Sequence, residues 1–254
     1  MSRVTRLRVT VIAIAAGLVE ILCRTGVVSP FTMIPPSEMV VGLGTLFAAG
    51  EMRDQIAQTL INVAAALASA VVVGFLVGAG LFAVPRARRV VDPLLASYYA
   101  IPIIVFYPFF IVVFGLNRYP QIAIGFLLAV VAMIINTLNG FDRVPQVLLK
   151  TARVMRLGRV ATIRRVILPF ATLYVFTGLK LAVAYAFIGV IAAEFILSGE
   201  GIGYEIAFAF NNFDNRVMYP LILLVLVISS AINMALYVWE RRFLDRQTGN
   251  RGEA

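Results

Sequence analysis

The sequence contains no histidine and a single cysteine, Cys23, among its 254 residues. Histidine is the side chain most often used as a general base near neutral pH and as a metal ligand, so its absence argues against most hydrolytic and metal-dependent chemistry. A single cysteine excludes a disulfide framework within one chain.

Charged residues are also scarce, at 14% of the chain, whereas hydrophobic residues make up 61% and the mean hydropathy is +0.94. Soluble proteins carry about 25% charged residues, so this chain has too little polar surface to cover itself in water. The net charge of +9 would suit nucleic acid, but the basic residues occupy short segments between apolar runs. We therefore predict one all-α, polytopic membrane domain over residues 1–254, with membrane lipids and no nucleic acid as partners.

Six segments are long and apolar enough to cross a bilayer, which takes about 20 residues of helix. They run near 8–25, 57–84, 93–115, 120–140, 170–197 and 217–239. The first is the weakest, because Glu20 and Arg24 shorten it, and we interpret it as a retained span and not as a signal peptide. The third contains Pro102 and Pro108, which predict a bent or broken helix.

The basic residues predict the orientation of these spans. Most of them share one side of the membrane with the N-terminus: Arg3, Arg6, Arg8, Arg86, Arg88, Arg89, Arg143, Lys150, Arg153, Arg156, Arg159, Arg164, Arg165, Arg241, Arg242, Arg246 and Arg251. The other side holds Arg24, Arg53, Arg118 and Arg216. Lys and Arg are enriched in cytoplasmic loops, so both termini are expected in the cytoplasm of a bacterial inner-membrane protein.

The connection over residues 142–168 is too long for a tight turn, and its pattern is that of an amphipathic helix. Apolar and small residues recur there at three- and four-residue spacing, namely Val147, Leu148, Thr151, Ala152 and Met155. The pattern ends before Pro169, where the next span begins. Spacing alone leaves two interpretations open, a helix that docks on a partner protein and a helix that rests on anionic lipid headgroups.

The same connection resembles the cytoplasmic EAA loop of binding-protein-dependent ABC permeases, which contains Glu-Ala-Ala, a glycine shortly after, and a terminal Ile-x-Leu-Pro. Aligned on Leu168-Pro169, this chain has Lys150, Thr151 and Ala152 at the three motif positions. Arg156 stands where the family has its glycine, and Gly158 follows two residues later. The core of the motif is therefore degenerate in this chain.

Further pieces resemble, in order, the nitrate/sulfonate/taurine branch of these permeases over about residues 33–240. They are Pro35-Pro36-Ser37, Asp92-Pro93, Ile101-Pro102, Asn136-Thr137 with Asn139-Gly140, Thr177-Gly178-Leu179-Lys180, Glu194, and Gly201-Ile202-Gly203-Tyr204. The resemblance implies a permease subunit that imports a small anionic or polar solute by alternating access and is not itself an enzyme.

The resemblance also implies partners. The chain has no Gly-x-x-x-x-Gly-Lys-Ser/Thr phosphate loop, so ATP would be bound by a separate ATPase dimer and no cofactor by this chain. A periplasmic or lipid-anchored solute-binding protein and a second permease copy, by default identical, complete the expected assembly. The residues expected to contact the ATPase or fix the exit of the loop are Leu148, Thr151, Ala152, Arg153, Met155, Gly158, Leu168 and Pro169.

Two charged residues, Lys180 and Glu194, lie within the fifth predicted span. A charge at the centre of a bilayer costs roughly 2.5–3.5 kcal/mol on insertion scales, so it should be paired or face a polar cavity. Lys180 is expected either to pair structurally, with a carbonyl or with a carboxylate such as Glu20, or to line the solute pathway. Glu194 is a candidate for a structural or gating role.

Three other functions are alternatives to the importer. A secondary transporter is the nearest alternative, but it favours an internal repeat and several intramembrane carboxylates. A membrane enzyme needs an aspartate pair, a histidine or an activated nucleophile, and the acids here are scattered. The membrane subunit of an energising module for vitamin uptake also uses coupling helices with Ala-Arg, but a single Leu-Pro-terminated loop argues against it.

Overall fold

The computed structural model describes residues 3–50 and 52–249, and all regular elements among them are helical, which confirms the all-α prediction. Arg251, which was used to predict orientation, lies outside the described residues. The helices are α1 (Arg3–Arg24), α2 (Pro36–Ala49), α3 (Met52–Ala83), α4 (Pro85–Tyr98), a 3₁₀-helix (Ile103–Phe106), α5 (Tyr107–Phe114), α6 (Tyr119–Asp142), α7 (Gln146–Val154), α8 (Arg159–Thr162), a π-helix (Ile163–Ile167), α9 (Leu168–Leu197), α10 (Ile202–Asn211) and α11 (Asn215–Gly249).

Within the part of the chain that the structure describes, four helical stretches are long and apolar enough to span a membrane, and they match four of the predicted spans. They are Met52–Ala83, Tyr119–Asp142, Val160–Ile196 and Asn215–Arg241. A fifth arises if Pro85–Tyr98 and Ile103–Phe114, which meet at a bend of 96°, are counted as one broken span. The predicted break is thus confirmed.

The two prolines of the broken span have different roles. Pro102 lies in the break itself, whereas Pro108 lies in the first turn of α5. A proline in the first turn of a helix is tolerated because its missing N–H has no helical partner there. Only Pro102 therefore sits where the helix is interrupted.

Helix α1 is 22 residues long, but it is not among the helices apolar enough to span by themselves. Charged residues towards both of its ends, among them Arg8, Glu20 and Arg24, shorten its apolar stretch. Glu20 accepts hydrogen bonds from Arg24 Nε at 2.6 Å and from Ser37 Oγ at 2.7 Å, which ties α1 to α2. The first predicted span, residues 8–25, stays a prediction.

By contacts the chain divides into two compact units. The first unit contains Met1–Thr59 and Glu194–Ser230. Its core lies among α10, the first part of α11 and the start of α3, and consists of Met52, Ile202, Ile206, Ala209, Met218, Leu221 and Leu224.

The second unit contains Leu60–Ala193 and Ala231–Ala254. Its long helices pack through small residues, and a Cβ on Gly189 would lie only 2.8 Å from Gly125 Cα. Arg88 reaches from α4 to the end of α6, where its two terminal nitrogens donate to the Asp142 carboxylate at 2.7 and 2.6 Å. Close helix packing and this bidentate ion pair fix the elements that carry the connection after α6.

Candidate functional site

Helix α7 and the turn that follows it form most of the predicted EAA-like connection. Its inner side packs on a cluster that includes Phe141, Val144 and Ile167, with Leu149 against them and Ala152 only 2% exposed. Its outer side is apolar and uncovered within this chain: Val147, Leu148, Val154 and Met155 are all exposed. The amphipathic helix predicted from the spacing is present. Of its predicted apolar face only Ala152 is buried within this chain, and the other members are exposed.

The C-terminus of α7 ends in a Schellman motif. The Leu157 N–H donates to Ala152 O at 3.0 Å and the Arg156 N–H donates to Arg153 O at 2.9 Å, the two bonds that define this motif. The motif requires a left-handed backbone conformation at the residue that follows the C-cap, and Arg156, at that position, has φ +54°. Arg156 therefore occupies the backbone conformation that favours glycine, which explains why the resembling family has glycine at this position.

We expect Arg156→Gly to raise the free energy of unfolding by about 1 kcal/mol, because glycine adopts positive φ without the Cβ clash of other residues. Lys150→Gly within α7 is the matched control, and it should lower stability by about 1 kcal/mol because glycine disfavours a helix interior. Melting temperatures of the two purified variants against the native protein give the comparison. A lower melting temperature for Arg156→Gly would contradict the proposed role of the left-handed turn.

The residues predicted to contact the ATPase fall into two groups. Five of them are exposed and available to a partner: Leu148, Thr151, Arg153, Met155 and Gly158. Ala152 is not available, because its methyl group packs inside the chain. A direct contact by Ala152 is therefore not part of the proposal below.

Helix α9 begins at Leu168, next to the predicted boundary at Pro169, but further helical turns precede it. The spanning stretch begins at Val160, so Leu168 and Pro169 lie inside a continuous helical run and not at its start. The π-helix Ile163–Ile167 immediately precedes them. A proline within a helix has no N–H for the carbonyl four residues earlier, and a local π-helical turn is one way in which the backbone adapts.

Lys180 is paired, but not with Glu20. Its ammonium group donates to both carboxylate oxygens of Glu240, on α11, at 2.8 Å each, and both side chains are partly buried. Trp239, the neighbour of Glu240, packs edge-on against Phe176 of α9, with ring centroids 5.0 Å apart. Pairing was one of the two alternatives for Lys180, and its partner lies 60 residues away in the sequence. A role in the solute pathway stays a prediction.

Lys180→Met should destabilise the protein by about 2–3 kcal/mol, because it leaves the Glu240 carboxylate partly buried without a counter-charge. The double variant Lys180→Met/Glu240→Met should recover most of this loss, since it removes both charges together. Thermal unfolding of the two variants in detergent provides the test. Equal losses for the single and double variants would show that the pair contributes only packing.

Glu194 lies near the end of α9 and is fully buried, and its carboxylate reaches the N-terminus of α10. Its Oε2 accepts hydrogen bonds from Thr59 Oγ1 at 2.8 Å and from the Gly203 N–H at 3.2 Å, while Thr59 Oγ1 accepts from the Ile202 N–H at 2.9 Å. The first backbone N–H groups of a helix need such partners, and an anion is favoured there. Glu194 acts as an anchor for the start of α10.

Neighbouring polar groups extend this anchor. Gln55 accepts from the Gly201 N–H at 2.6 Å and donates to Glu205 at 2.9 Å. Sequence reasoning missed Gln55 and Thr59, although two polar residues at four-residue spacing at the start of an apolar run are a usable signal for a shared buried partner. The Glu194 anchor is defined here as Gln55, Thr59, Glu194 and Gly201.

The chain matches a family model described as "Binding-protein-dependent transport system inner membrane component" over residues 70–248. The matched stretch contains the α7 connection, Lys180 and Glu194. The part of the chain that matches the family therefore includes the exposed apolar side of α7.

Three similar proteins are transport permeases. A nitrate import permease protein, NrtB, of Leptolyngbya laminosa is 30% identical over 70% of this chain, which covers 64% of that relative, just under two thirds. The taurine transport system permease protein TauC of Escherichia coli (strain K12) is 24% identical over 95% of this chain and 90% of its own length. The bicarbonate transport system permease protein CmpB of Synechococcus elongatus is 30% identical over 74% of this chain and 68% of its own length.

A solved structure supports the fold. Inward-facing conformations of the MetNI methionine ABC transporter include a chain that superposes with a TM-score of 0.64 over 73% of this chain and 92% of that one, at 18% identity. This similarity concerns the arrangement of helices and not the solute.

Proposed function

Since the chain belongs to the family of inner-membrane components of binding-protein-dependent transport systems, we propose that it is the membrane subunit of an ATP-driven importer for a small oxyanion. It is a multi-pass membrane permease and not an enzyme of the membrane. The names of its relatives mention nitrate, taurine, bicarbonate and aliphatic sulfonates. These solutes share negatively charged oxygen atoms on a compact group, which is the substrate class that we carry over.

The observation that carries this proposal is the exposed apolar side of α7. A helix outside the membrane that leaves the apolar side chains of Leu148 and Met155 exposed needs a partner to cover them. The turn at Arg156 fixes where this helix ends. In the proposal this side docks on a separate ATPase subunit. The inner side, built on Leu149 and Ala152, transmits the movement of the ATPase to α6 and α9 through the cluster below it.

The proposed assembly contains two copies of this permease, an ATPase dimer and a solute-binding protein. The proposal puts both termini and α7 in the cytoplasm, in keeping with the basic residues in the first turns of α1 and after α6. ATP is bound by the ATPase, because the permease sequence has no phosphate-binding loop. The binding protein delivers the oxyanion on the opposite side and supplies much of the selectivity.

The proposal is tested by a pull-down of the tagged chain from its own membranes in mild detergent, followed by identification of the proteins that co-purify. The comparison is Gly158→Asp combined with Met155→Asp, two positions on the connection that are exposed within this chain. An ATPase subunit that is present with the native chain and absent with the variant supports the importer. A chain that purifies alone under conditions that preserve ABC complexes contradicts it and favours a secondary transporter.

A further inference from the structure

The break between α4 and α5 lies beside the middle of two long apolar helices. The Tyr98 hydroxyl donates to Leu127 O at 3.1 Å, near the centre of α6. The Tyr99 ring stacks on Tyr185, near the centre of α9, with centroids 5.5 Å apart and planes 28° apart. Because α6 and α9 each span the membrane by length and composition, residues beside their centres lie deep in the bilayer.

The backbone of this break is irregular and exposed. Tyr99 is 45% exposed, and Ala100, Ile101 and Pro102 are exposed as well. The Ala100 and Ile101 N–H groups turn back to Ser97 O and Tyr98 O at 3.1 and 3.0 Å, which closes the last turn of α4 instead of continuing it. Irregular backbone at this depth is stable only against protein or water, because hydrocarbon cannot satisfy its polar groups.

We infer that Tyr99–Pro102, together with Tyr185, lines a water-filled part of the path that the oxyanion takes through the membrane; this rests on the proposed function. The phenol hydroxyls of Tyr99 and Tyr185 offer neutral hydrogen-bond donors to a small anion. Lys180 lies near Tyr185 in the sequence of α9, but its ammonium group is already paired with both carboxylate oxygens of Glu240. Neutral donors suit a path, because an ion must bind well enough to enter and weakly enough to leave.

Water at the break can be measured by cysteine labelling in the intact membrane. In a Cys23→Ser background, Ala100→Cys is compared with Val112→Cys, which lies on α5 and is 85% exposed. The probe is 2-sulfonatoethyl methanethiosulfonate, a charged sulfonate that reacts with thiolates. We expect Ala100→Cys to react at least about tenfold faster, since the thiolate forms in water and not in hydrocarbon.

The outcomes of the labelling separate the two proposals. Equally slow labelling at both positions overturns the inference, because the break is then covered by a second copy or by lipid. Fast labelling of Ala100→Cys in a protein that shows no ATP-driven uptake retains the water-lined break and contradicts the importer instead. The labelling itself needs neither ATP nor the transported ion.

Contact between the hydroxyls and the ion is tested with Tyr99→Phe and Tyr185→Phe, which remove one oxygen each and keep the stacked rings. Each should lower uptake by about tenfold, the effect of one lost hydrogen bond to a charged group, while ATPase binding and melting temperature stay unchanged. Tyr119→Phe, at the start of α6, is the matched control and should transport normally. Normal uptake by both Tyr99→Phe and Tyr185→Phe would overturn the assignment of these hydroxyls.

Discussion

Gly201→Ala should lower the free energy of unfolding by about 3–5 kcal/mol and leave little folded protein in the membrane. Two independent effects add at this residue. Gly201 has φ +102° and ψ 166°, a conformation that residues with a Cβ scarcely adopt. A Cβ would also lie 2.3 Å from Glu194 Cδ, and this carboxyl group cannot move away because it is buried and hydrogen-bonded.

Gly199→Ala is the matched control, because a Cβ at Gly199 would meet no atom within 4 Å. It should change stability by less than about 0.5 kcal/mol, as is usual for an exposed surface position. Folded yield and melting temperature in detergent distinguish the two variants. The combination of Gly201→Ala with Glu194→Ala should cost less than the sum of the separate losses, because the clash exists only when both groups are present. Additive losses would contradict the contact.

Leu148→Asp should reduce the amount of ATPase that stays bound to the permease by about 30-fold and reduce ATP-driven uptake accordingly. A charge on the exposed side of α7 removes one apolar anchor of the proposed interface, and loss of such an anchor typically costs at least about 2 kcal/mol. The melting temperature of the isolated permease should not change, since Leu148 is exposed within this chain.

Gln146→Asp introduces the same carboxylate two residues earlier on α7, where the side chain points in a different direction. It should retain the ATPase. Titration of purified ATPase against each immobilised permease gives the two affinities under identical conditions. Equal weakening by both substitutions would indicate a general charge effect and not a docked face, and equal binding would place the ATPase elsewhere.

The long helices, the break and the α7 helix could be predicted from the sequence, because each is determined by residues that are neighbours in the chain. The apolar runs identify the long helices, and Pro102 marks the break because it removes a backbone donor in the middle of a span. The three- and four-residue spacing of apolar residues predicts the α7 helix. The residues around Leu168-Pro169 carry the family resemblance. In each case neighbouring residues in the chain determine the result.

Partners that are distant in the sequence could not be predicted in the same way. A carboxylate partner such as Glu20 was one of the alternatives for Lys180, but the choice of Glu240 depends on which helices become neighbours. Glu194 was a candidate for a structural or gating role, and its hydrogen bonds to Thr59 and to the backbone of Gly203 come from residues that the sequence alone does not place beside it. Arg156 shows a third limit, because a positive φ in a residue with a Cβ contradicts local preference and becomes visible only in the backbone.

Transport by the reconstituted complex tests the central claim most directly. The permease is incorporated into vesicles with its co-purified ATPase and binding protein, and uptake of labelled nitrate, bicarbonate, taurine and methanesulfonate is measured with ATP or a non-hydrolysable analogue at the ATPase. We expect at least one of these oxyanions to accumulate only when ATP is hydrolysed and the binding protein is present. Uptake that proceeds without ATP and follows a proton or sodium gradient would contradict the account and identify a secondary transporter.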